Sequence, residues 1–242
     1  FEYWELVYFY AHALYRLKKI SKAREILKEI DLEKGTLHKA KKEDLFCKVE
    51  LLKWACDFYD NKLNDSIHRL LLHESGTPFE KKVSYDLDRK LNLITSFFAS
   101  GEYARGIGVM KSIKHSTQWI QKKKGLEFRV KFQIIEMLYF LETGKVDLVL
   151  SRMRALKRII REVIKLNPNY KNLNVFLNVI STSINQGGFK GLEKELDKFE
   201  FTPFKRENIQ AMAFFAYLKS KINGSDYYKT LIELVTVEWV KG

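Results

Sequence analysis

The chain has 242 residues, 46% of them hydrophobic, with 43 Lys and Arg against 30 Asp and Glu and a formal net charge of +13. That apolar content can fill a large core and is too high for a mostly disordered chain. No run of 18 apolar residues free of charge occurs, which argues against a membrane-spanning helix, and Cys47 and Cys56 form no closely spaced thiol pair, which argues against a disulfide framework and suits a cytoplasmic, reducing setting.

The N-terminal stretch FEYWELVYFYAHALYRLKK is apolar at helical spacing through Trp4, Val7, Tyr8, Ala11, Leu14 and Tyr15. Glu2 and Glu5 stand where a secretion signal would be basic, so the segment reads as structure. It starts inside a helical pattern with no initiating Met, as expected of a piece of a longer protein. After KKIS, a second helix carries Ala23, Ile26, Leu27 and Ile30 on one face. The same order of helix, short break and helix returns with Leu45, Val49, Leu52, Cys56 and Tyr59 before NKLNDS and Ile67, Leu70 and Leu71 after it.

A third pair takes Leu87, Leu91, Ile94 and Phe98, then GEYARG, then Ile107, Met110 and Ile113. The fourth takes Phe128, Phe132, Ile135 and Tyr139, turns at Thr143-Gly144, and continues in the long run VDLVLSRMRALKRIIREVIKL. The fifth is NLNVFLNVISTSINQGGFKGLEKELDKFE, whose Asn and β-branched residues lower its helix propensity, and the sixth runs from KRENIQAMAFFAYL to VEWV. Strands compete only at VFLNVIST and LIELVTVEWV; both keep helical spacing and are read as helix. All three prolines, Pro78, Pro168 and Pro203, fall between the strongest helical stretches.

One apolar residue marks each break: Ile20, Leu63, Tyr103, Val146, Phe189 and Tyr227, at spacings of 43, 40, 43, 43 and 38. A recurrence of this length is the mark of repeated helical hairpins, each unable to bury its apolar face alone. The expected organisation is all-α, a single helical-repeat domain over 1–242 with approximate units 1–36, 43–76, 80–121, 125–167, 171–202 and 204–241.

The units resemble the tetratricopeptide-repeat family, in which a small residue of the second helix sits where the paired helices cross. The matching positions here are Ala23, Ser66, Gly106, Val149, Leu192 and Thr230, of which Val149 and Leu192 are large. Twelve residues earlier the family has a small site in the first helix; here stand Ala11, Trp54, Ile94, Met137, Ile180 and Leu218, five of them large. The period near 42 also exceeds the family's 34, which places the chain among divergent, long-helix relatives. The resemblance covers almost the whole chain. It implies a right-handed superhelical stack of about six antiparallel helix pairs, and a binding groove rather than an active centre.

Catalytic and metal-binding signatures are missing. The histidines, His12, His38, His68, His73 and His115, form no HExxH and no close cluster with cysteine, and neither GEYARG nor GGFKG has the length or the lysine-hydroxyl ending of a phosphate loop. A non-enzymatic scaffold for protein–protein interaction without cofactor or metal is therefore expected; a nucleic-acid-associated or transcription-regulatory repeat protein is the alternative, and an enzyme on a helical toroid ranks last.

Two candidate surfaces follow. Arg152, Arg154, Lys157, Arg158, Arg161 and Lys165 crowd one helix against a single acid, Glu162, with Lys122, Lys123 and Lys124 at the turn before that unit. Such a stripe fits an acidic protein or peptide first and nucleic acid second. Trp4, Tyr8 and Tyr15 are candidate aromatic anchors, and their density at the N-terminal end suggests self-association there.

Overall fold

The computed structural model describes residues 3–33, 38–200 and 209–236, and every regular element among them is helical. Pro203 and Trp239 lie outside the described residues. Contacts divide the chain into two compact units, Phe1–Ile113 and Lys114–Gly242.

The first unit holds three hairpins: α1 (Tyr3–Arg16) pairs with α2 (Ile20–Glu29), α3 (Lys39–Tyr59) with α4 (Leu63–Leu71), and α6 (Val83–Ala99) with α7 (Tyr103–Lys111). Between the last two lies the single turn α5 (Pro78–Lys81), where Pro78 occupies the first helical position and gives up an amide that would be unpaired anyway. In the second unit α8 (Thr117–Lys124) packs on α9 (Leu126–Glu142), which pairs with α10 (Val146–Leu166). A 3₁₀ turn at Pro168–Lys171, α11 (Asn172–Gln186) and the one-turn α12 (Glu193–Leu196) follow, and α13 (Ile209–Asn223) pairs with α14 (Tyr227–Thr236).

The recurrent apolar residue has a specific place. Ile20, Leu63, Tyr103, Val146 and Tyr227 are each the first residue of the hairpin's second helix. The turn before them is the same device six times. Lys18, Asn61, Gly101, Gly144, Gly187 and Gly224 adopt positive φ, between 59° and 77°, and the next amide donates back to the carbonyl five residues earlier. Those bonds are Lys19 to Leu14, Lys62 to Asp57, Glu102 to Phe97, Lys145 to Phe140, Gly188 to Ser183 and Ser225 to Ser220, all 2.8–2.9 Å. This is the Schellman closure, which satisfies the last carbonyls of one helix while turning the chain for the next. Glycine takes the left-handed position without cost in four of the six; Asn61 tolerates it, and Lys18 bears a penalty of about 1 kcal/mol.

Packing follows the same register. All six crossing positions, from Ala23 to Thr230, are buried, as are all six first-helix sites from Ala11 to Leu218. Large residues at the latter are accommodated by the next helix. Trp54 on α3, for example, donates its indole N–H to Ser96 Oγ on α6 at 2.9 Å.

The fifth hairpin is a correction. Phe189 follows the Schellman turn as expected, but no long helix starts there: Gly191 takes φ 82°, and α12 is a single turn ending at Leu196. Three glycines within five residues leave the backbone too free to nucleate a helix. The paired hairpins among the described residues therefore number five, not six. A second correction concerns Lys122, Lys123 and Lys124. They form the last turn of α8 rather than the turn between units, with Ser116 Oγ capping the helix by accepting from the Trp119 amide at 3.2 Å.

Candidate interaction surface

Helix α10 is built on strict amphipathic spacing. Val149, Met153, Leu156, Ile160 and Val163 are buried on one side, toward α9. With 100° per residue, Arg154, Lys157, Arg158, Arg161 and Lys165 share about 100° of the opposite side and rise over ~16 Å of helix. All five are exposed, and none makes an ion pair or hydrogen bond among the described residues. Arg152 departs from them. It turns inward, chelating Glu136 of α9 through Nε and Nη2, the latter at 3.0 Å, with its guanidinium 5.8 Å from the centre of the Phe140 ring.

The stripe costs the helix stability. Arg154–Lys157, Arg154–Arg158, Lys157–Arg161, Arg158–Arg161 and Arg161–Lys165 are like-charge pairs at three or four residues, each unfavourable by about 0.2–0.5 kcal/mol. Only Glu162 relieves them on that flank, while Lys165 also complements the helix C-terminal dipole.

Lys122 and Lys123 are exposed on α8, which packs on α9 as α10 does. Lys124 is half-buried, its ammonium 5.5 Å from the centre of the Phe128 ring. On the same face of α8 as Lys122 and Lys123 stands Trp119, exposed and stacked at 3.8 Å on His115. Nothing in the sequence singles out Trp119, because a turn offers no face on which to align it with Lys122 and Lys123; the helix supplies that face.

The aromatic candidates on α1 are half-buried. Trp4 meets Tyr3 edge-on at 4.7 Å; Tyr8 stacks on His12 at 6.0 Å, and burial raises its hydroxyl pKa; Tyr15 reaches Tyr59 of α3 at 6.3 Å and is pushed up strongly by burial. The outward aromatics of this helix are Tyr3, Phe9 and Tyr10.

The strongest concentration of buried charge lies elsewhere, around α3. Glu50 and Asp57 are only 8% and 4% exposed. Arg69 of α4 bridges them, giving Nε to Asp57 at 2.9 Å and Nη1 to Glu50 at 3.2 Å. Lys53 adds 2.9 Å to Glu50, Arg24 of α2 binds Asp60 at 2.7 Å and approaches Asp57 at 3.7 Å, and His73 donates from Nε2 to Glu50 at 3.1 Å. Burial pushes the Glu50 carboxyl up, but the His73 hydrogen bond and the Lys53 and Arg69 charges outweigh it and hold the group at about 2. Both carboxylates are bound by basic side chains, Arg24 of α2 and Arg69 of α4 among them, so the cluster joins α2, α3 and α4 rather than presenting a free base.

The buried thiols Cys47 and Cys56 are unpaired with each other, and burial foremost pushes both up to about 12, which leaves them poor nucleophiles. Among the described residues no group of His, Cys, Asp and Glu is placed to hold a metal ion, and no helix is long and apolar enough to cross a membrane. No family model matches the sequence, and the searches found neither a similar curated protein nor a similar solved structure.

Proposed function

We propose that this chain is a non-catalytic interaction scaffold of helical hairpins, working in a reducing, cytoplasmic setting, that holds an anionic partner on the cationic face of α10. One observation carries the reading: five exposed bases on one helix face make no ion pair among the described residues, although the like-charge repulsion among them weakens the helix that bears them. A surface that merely needed solubility would intersperse the signs. A tetratricopeptide-like stacking of the hairpins belongs to the same proposal and is supported by the six-fold recurrence of the Schellman turn and of the buried crossing residue.

A protein or peptide is the partner class this scaffold favours. The nucleic-acid alternative draws on Trp119, whose exposed ring beside Lys122 and Lys123 could stack a base. The test is affinity capture with the wild-type chain and with a variant carrying Arg154→Gln, Lys157→Gln, Arg158→Gln and Arg161→Gln. The expected result is a stoichiometric partner that elutes as salt rises and is lost from the variant at unchanged helical content. Equal capture by both proteins would remove α10 from the function.

A further inference from the structure

The exposed line on α10 does not end with its bases. Val146 and Leu150, 41% and 37% exposed, lie one turn apart and continue the line toward the helix N-terminus, so that Val146, Leu150, Arg154, Arg158, Arg161 and Lys165 succeed one another at three or four residues. Scattered apolar residues on a surface need no explanation. Two successive ones in register with a cationic stripe make a composite surface over ~28 Å, with Val146 and Leu150 beside the exposed Asp147 at its N-terminal end and about three basic turns after them.

The composite character discriminates between anionic partners. A phosphodiester backbone would match the bases and leave Val146 and Leu150 against a charged, hydrated chain, with no burial gained. A helix laid along α10 has the same rise of about 5.4 Å per turn as the bases facing it, so carboxylates at three- and four-residue spacing meet successive bases without drift. Its apolar residues then cover Val146 and Leu150. This is the division of labour of paired helices generally, in which flanking charges set register and partner choice while apolar contacts exclude water.

Building on the anionic-partner reading above, we propose that α10 docks an acidic amphipathic helix of a partner protein, with about three turns of Asp or Glu set against Arg154, Arg158, Arg161 and Lys165 and an apolar turn set against Val146 and Leu150. Lys157 borders the same contact.

The test is fluorescence anisotropy of the full chain against three labelled probes. The first is a 21-residue helical peptide with Glu at three- and four-residue spacing over three turns and Leu on the same face of the adjoining two. The second has the same composition in scrambled order, and the third is a single-stranded oligothymidylate of equal net charge. The ordered peptide is expected to bind at least tenfold tighter than the scrambled one and than the oligonucleotide. Neutralising Arg154, Lys157, Arg158 and Arg161 to Gln is expected to weaken it tenfold or more and flatten its salt dependence, and Leu150→Asn about threefold with the salt dependence kept. The paired reversal Arg158→Glu and Arg161→Glu should lose the Glu peptide and recover a peptide with Lys at the facing positions.

If the oligonucleotide binds as tightly as the ordered peptide and Leu150→Asn changes nothing, the acidic-helix proposal fails while an anionic partner on α10 stands. Should none of the probes bind, or should the neutralised variant bind them all unchanged, both readings fail.

Discussion

Residues 1–113 carry 20 Lys and Arg against 17 Asp and Glu, whereas residues 114–242 carry 23 against 13, so that +10 of the +13 net charge falls in the second unit. The more telling difference is where the charge is used. Around α3 the carboxylates of Glu50 and Asp57 are buried and bound by Lys53 of the same helix, Arg24 of α2, Arg69 of α4 and His73 just after α4. On α10 the bases stand in water, with each other and the acid Glu162 for neighbours. Charge that holds helices together is balanced and hidden, whereas the charge on α10, which we propose serves a partner, is unbalanced and presented. The same two units thus give two diagnostics, the cost of removing a charge and its dependence on pH or salt.

The largest expected effect is at Asp57. Asp57→Ala leaves Arg69 facing a buried gap and is expected to destabilise the first unit by about 3–5 kcal/mol, measured by urea unfolding. A loss below about 1 kcal/mol would mean that the α3 cluster is as dispensable as a surface pair and would erase the contrast.

Next comes acid. The Glu50 carboxyl has its folded pKa held at about 2, below its ordinary value of 4.5. Its contribution is therefore fully present above pH 4.5 and lost as pH falls toward 2, a change of about 3 kcal/mol. Glu50→Gln should flatten the acid limb of the stability profile in that window; a limb of unchanged steepness would place the acid sensitivity in other carboxylates.

How far the sequence foretells this arrangement depends on the range of the interactions involved. The hairpin breaks are legible because a Schellman turn is local: a residue able to adopt positive φ and an apolar residue two or three positions later both show in the chain, at Gly101 and Tyr103 or Gly144 and Val146. The α10 stripe is legible for the same reason, since face assignment needs only helical spacing. Helix α8 was hidden because Ile120 is its one buried residue, too few to make a stripe, and α12 was overestimated because the left-handed Gly191 interrupts an otherwise suitable run. The α3 cluster could not be read at all. Glu50, Arg69 and His73 are brought together across 19 and 23 residues by the packing of the α3–α4 pair, and nothing local in LLKWACDFYD announces that its acids are bound. Arg152 teaches the complementary point: it belongs to the basic run by sequence, yet packing assigns it to Glu136.

The smallest effect in magnitude is the most direct test that α10's bases serve something outside the fold. In urea unfolding at low salt, followed by helical circular dichroism, the variant with Arg154→Gln, Lys157→Gln, Arg158→Gln and Arg161→Gln is expected to match the wild type or exceed it by about 1 kcal/mol, because relieving like-charge pairs removes a cost, and the difference should shrink in 1 M salt. A variant less stable than the wild type by 1 kcal/mol or more would show that these side chains support the helix that carries them, and would contradict the account.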